Sequence, residues 1–136
     1  MKTNLIIVLS VGFLFTSCKK EVAPPPEHLA GQWKLVAIFD VWGVVGNPGW
    51  YGLPAAETHT ITFGKKGTVH RTDNWGGGLH TCSGKYTVSS SSAVTVTSSC
   101  DPSIEQFTIS VLTKDTLITD HQGTEGIIRY KYAADR

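Results

Sequence analysis

From residue 29 onward, apolar and polar residues alternate in short runs, the period-two pattern of strands with one buried face. In 32–39, Trp33, Leu35, Ala37 and Phe39 share one face, and in 58–63, His59, Ile61 and Phe63 lie opposite three threonines. Similar runs follow at 68–72, 84–89, 93–98, 104–113, 116–120 and 126–132. Turn-rich breaks divide them, such as Gly64-Lys65-Lys66-Gly67, residues 89–92 and Thr113-Lys114-Asp115. No window keeps a helical period with caps. About eight short strands with tight connections predict consecutive antiparallel pairing, and closing the sheet removes its exposed edges. The predicted fold is all-β, a small up-and-down antiparallel barrel over 29–136. A two-sheet sandwich is the alternative that strand number leaves open.

The first 28 residues follow a different pattern. Met1-Lys2-Thr3-Asn4 is a short positive start, and residues 5–15 form an almost unbroken apolar run. That run is shorter than the about 20 residues a membrane-spanning helix needs, so 1–17 reads as a secretory leader. Phe15-Thr16-Ser17-Cys18 resembles the bacterial lipobox, with Phe15 at the position usually held by Leu. The resemblance implies acylation of Cys18, cleavage before it, and a membrane anchor through the N-terminal lipid. Residues 18–28, with three consecutive prolines, then form an extended tether. Cys18-Lys19-Lys20-Glu21 also resembles the charged segments that send some Gram-negative lipoproteins to the outer membrane. The expected location is therefore the outer membrane, facing the periplasm or the cell surface.

Cleavage would leave 119 of the 136 residues, enough for one domain, with eleven basic side chains against eleven acidic ones. That balance argues against nucleic acid as a partner, because phosphate binding needs a concentrated basic excess. With Cys18 used for lipid, Cys82 and Cys100 remain. A cysteine pair in an exported chain reads as a disulfide, and the two flank a short hairpin that returns its ends close together.

Gly31-Gln32-Trp33 opens the first strand and Arg129 falls in the last. This resembles the lipocalin signature of Gly-x-Trp on the first strand with an Arg near the barrel's end. The order of motifs from Leu29-Ala30-Gly31-Gln32-Trp33 through Gly84-Lys85-Tyr86 to Asp115-Thr116-Leu117 also looks like the lipocalin-like domain of small bacterial lipoproteins. The resemblance implies that Gly31, Trp33 and Arg129 are structural, with the Arg packed across the indole to close one end.

Residues 40–57 are longer than a link between neighbouring strands requires, and are rich in glycine around Trp42, Trp50 and Tyr51. A second Gly-rich stretch, 73–80, carries Trp75. Strand alternation puts both at one end, so Trp42, Trp50, Tyr51 and Trp75 are expected to ring one opening above His59 and Phe63. The inward positions Leu35, Phe39, Phe63, Tyr86, Val88, Phe107 and Ile109 are expected to suit an apolar cavity. The expected ligand is small and either apolar or able to stack on aromatic rings. A different reading is an interaction or inhibitor module that engages an envelope protein through its Gly/Trp loops. No metal motif joins His59, His70, His80 and His121, no nucleophile elbow is present, and the triple Gly lacks the Lys-Ser/Thr ending of a phosphate loop. Neither a cofactor nor an enzymatic activity is expected.

Overall fold

A computed structural model describes residues 24–40, 47–74, 77–89, 92–101, 103–124 and 126–136. Among these residues the chain is all-β, with β1 (Gly31–Asp40), β2 (Gly49–Gly52), β3 (His59–Phe63), β4 (Thr68–Asp73), β5 (His80–Val88), β6 (Ala93–Ser98), β7 (Ile104–Leu112), β8 (Thr116–Gly123) and β9 (Gly126–Ala134). Each strand pairs antiparallel with its successor from β3 to β9, and β1 pairs with both β3 and β9. Eight strands thus close into the expected barrel. The added strand is β2, inside the long first connection, which extends the sheet from the upper half of β1.

One irregularity decides what faces inward. The β1–β9 register shifts between Leu35 and Ala37, a bulge that takes up one residue at Val36. Below it, Trp33 and Leu35 are buried. Above it the faces exchange, so Ala37 and Phe39 register with the outward Lys131 and Arg129, while Ile38 registers with Tyr130. Phe39 therefore belongs to the outer wall and not to the cavity.

The lower half of the barrel is solid. Trp33, Leu29, Phe63, Val69, Val94, Val96 and Leu117 are almost fully buried. Phe63 meets Tyr86 edge to face with centroids 5.0 Å apart, and the Tyr86 hydroxyl donates to the Gly64 carbonyl at 3.0 Å. The Trp33 indole N–H donates to the Leu29 carbonyl at 2.9 Å, which ties the incoming chain to the closed end. Burying side chains of this size stabilises by about 1.5–3 kcal/mol each. The space left beside Phe63, Phe107 and Leu117 is about 10 Å³, no more than one water requires. The predicted apolar cavity is thus occupied by the protein's own side chains.

Candidate functional site

The open space lies in the upper half, at the end where β4 meets β5, β6 meets β7 and β8 meets β9. A cavity of about 200 Å³ there is walled by Leu35 and Ile61 below, and by His59, Arg71, Asp73, Glu105, His121, Tyr130 and Tyr132. Inward alternation explains each placement. Arg71 sits two residues above the buried Val69 on β4, and Glu105 two residues above the buried Phe107 on β7. Small changes along the inner face of a strand, from apolar to charged, mark where the core gives way to the mouth.

Arg71 and Glu105 form an ion pair between strands that are not neighbours, so it crosses the lumen. Each side chain keeps about a third of its surface in solvent, which limits the pair to about 1 kcal/mol. The other Glu105 oxygen lies 3.4 Å from His121 Nδ1, and the Thr119 hydroxyl lies 3.0 Å from His121 Nε2. That geometry assigns Nδ1–H as the donor to Glu105 and Nε2 as the acceptor from Thr119. The imidazole stacks on Phe107 at 4.8 Å and receives Tyr130 edge-on at 4.7 Å. Burial pushes the His121 pKa below its ordinary value, against the opposing pull of Glu105, so the ring is neutral at neutral pH. Burial likewise raises Tyr130 and, much further, Tyr132, which keep their phenolic protons. At the rim, His59, Asp73 and His80 occupy one register row across β3, β4 and β5. The arrangement offers hydrogen-bond donors and acceptors around two flat rings, over an apolar floor.

Of the residues singled out from the sequence, His59 lines this cavity and Phe63 lies beneath it in the solid core. Trp50 does not ring the opening. It registers with Phe39 on the outer wall, with ring centroids 5.4 Å apart. Tyr51, the next residue along β2, points to the other face, where its hydroxyl donates to the Asn47 carbonyl. Trp42, Trp75 and Cys18 lie outside the described residues. Cys82 and Cys100 form a disulfide, with Cα atoms 5.5 Å apart.

The expected partnership of Trp33 with Arg129 is not formed. Trp33 registers with Ala134 near the closed end, whereas Arg129 registers with Phe39 and Asp120 towards the mouth. Arg129 instead grips Asp120 through Nε at 2.6 Å and an amino group at 2.9 Å, and this holds the Asp120 pKa below its ordinary value. Lys114 and Arg136 border the same depression as Trp33, and Arg136 donates to the Lys114 carbonyl at 2.6 Å. Gly31 keeps a structural part, since its φ of 149° is one that side-chain-bearing residues rarely adopt. Arg71, Glu105, His121, Tyr130 and Tyr132 line the cavity without belonging to the aromatic loops expected to form it. Their signal was a charged or polar residue in phase with an apolar inner face.

A closed eight-stranded antiparallel barrel with a plugged base and an open, polar mouth has the lipocalin-like fold. No family model and no curated protein matches the chain. Among solved structures, a lipocalin-like protein from Bacteroides uniformis ATCC 8492 superposes with a TM-score of 0.61 at 15% identity, covering 79% of this chain and 99% of that one. At that identity the likeness concerns the fold alone.

Proposed function

We propose that this chain is a membrane-anchored binding protein that takes a small planar ligand in the mouth of its barrel. The observation that carries the reading is the half-filled interior: a packed base stops beneath about 200 Å³ of space bounded by His121, Tyr130 and the Arg71–Glu105 pair. Such a volume falls below the roughly 300–1,000 Å³ of sites for drug-sized ligands and suits a smaller molecule of one or two rings. Its polar groups would be met by the histidine, tyrosine and ionic side chains, and its faces by the aromatic rings. Of the apolar and the stacking ligands expected, this favours the stacking kind, with hydrogen-bonding groups added. Native mass spectrometry of the protein purified from its own organism tests the reading. A co-purified small molecule lost from Arg71→Ala is expected, and its retention in that variant would place it elsewhere. The anchor is tested separately, since Cys18→Ser should move the protein from the membrane to the soluble fraction.

A second reading, an interaction module for an envelope protein, is favoured by a different observation. Leu79 is 72% exposed, Ile104 62% and Ile127 49%, all near the mouth. Apolar side chains left in water at one end suit a protein contact. Capture of a protein lost on Leu79→Ser/Ile104→Ser, with no small molecule bound, would favour it.

A further inference from the structure

Charge is divided between the two ends of this barrel. Towards the mouth lie Glu57, Asp73, Asp101, Glu105 and Asp120, and the arginines there, Arg71 and Arg129, are each taken by a carboxylate. At the closed end Asp115 is offset by Lys114 and Arg136, and Asp135 accepts from Gln32, while Lys65 and Lys66 form the β3–β4 turn and Lys85 stands beside them in register with Thr68. All three are exposed, and none has an ion pair among the described residues. They border a depression of about 350 Å³ together with Pro24 and Pro25. The segment leading into β1 therefore leaves the domain at this basic end, and Leu29 is fixed there by burial and by its bond to Trp33.

We propose that the closed end is a docking surface for the phosphate-bearing headgroups of an anionic bilayer, which leaves the mouth facing away from that bilayer. The occupant follows from complementarity. Three unpaired ammonium groups attract a negatively charged surface, while the acidic mouth is repelled by it. A flat array of phosphates suits exposed lysines, which act as mobile point charges and require no fixed fork geometry. The proposal extends the anchored reading above, yet it requires no lipid on Cys18, so the two fail independently.

Residues 24–136 contain every barrel strand, and a solved chain of the same fold is matched over 99% of its length by 79% of this one. That segment is the protein to use, sedimented with vesicles of mixed phosphatidylglycerol and phosphatidylcholine or of phosphatidylcholine alone. Binding to the anionic vesicles only, weakened by added salt, is expected. Each lysine near such a surface strengthens binding about fivefold, so Lys65→Glu/Lys66→Glu should lose about thirtyfold or more. Lys34→Glu/Lys131→Glu, which changes net charge equally on the barrel wall, should lose far less. Lys66→Gln/Lys85→Gln serves should the first pair fail to fold. Equal losses for wall and end variants, or equal binding to both vesicle types, would overturn the proposal. Retention of mature protein on membranes through Cys18, with no binding by residues 24–136, would reject docking while sparing the anchor.

Discussion

Trp50 stands edge-on to Phe39, with ring centroids 5.4 Å apart and planes at 70°, on the outside of the barrel wall. The contact fastens β2 to the upper half of β1, beyond the closed circuit of eight strands. An exposed aromatic pair of this geometry contributes about 1 kcal/mol. Trp50→Ala should therefore cost about that much in urea unfolding while leaving a mouth ligand bound as before. Loss of the ligand in this variant would show that β2 reaches over the opening.

The Asp120–Arg129 pair gives a second expectation. Asp120 is held below its ordinary pKa of 3.8 chiefly by its hydrogen bonds to Arg129, so the folded state favours the carboxylate. That contribution is present above pH 3.8 and disappears as the carboxylate is protonated at lower pH. Arg129 is 41% exposed, which holds the pair to about 1 kcal/mol. Asp120→Asn should lower stability by about that amount at neutral pH, with the difference from the parent shrinking in acid. A double-mutant cycle with Arg129→Ala should recover most of it as coupling, whereas a cycle of Arg129 with Trp33 should yield none.

His121 also loses stability as pH falls, but at a higher pH, because folding favours its neutral form. Its folded pKa lies below 6.5, mainly through burial, so unfolded chains bind the proton first as pH falls. Stability is fully present above 6.5 and declines between there and the lower folded value. His121→Gln should flatten that part of the pH profile in thermal unfolding. The same variant should weaken ligand binding at neutral pH, where the imidazole is uncharged.

Reduction of the Cys82–Cys100 bond is expected to cost about 3 kcal/mol, because it frees a loop closed over a separation of 18 residues. Denaturant midpoints with and without reductant provide the measurement. The oxidised, denatured mature protein should leave neither of these cysteines open to a thiol reagent.

Eight of the strands could be read from alternation because the inner face of each carries apolar residues in its lower half. The bulge at Val36 could not, since Trp33, Leu35, Ala37 and Phe39 alternate without a break in the sequence. The extra residue shows only in how β1 pairs with β9. Alternation alone therefore puts Phe39 inside, and the long Gly-rich connection alone puts Trp50 at the opening, whereas the two meet on the outer wall. The mouth was harder to read than the base. Arg71 and Glu105 lie 34 positions apart and meet only because the sheet curls β4 towards β7. Arg129 matches the spacing of the lipocalin signature, yet its register sets it beside Asp120, while Lys114 and Arg136 border the depression at Trp33.

The packed base and the open mouth share the same strands but not the same demands. Below the level of Ile61, what counts is that each inner position be large and oily, a requirement many sequences meet. Above it, a strand can exchange one inward residue for another without disturbing the plug that keeps the barrel folded. A chain built in this way can drift at most of its positions and keep its shape, and the lining of its mouth can change through a handful of side chains. Fifteen per cent identity over a shared barrel is the divergence such a division of labour permits.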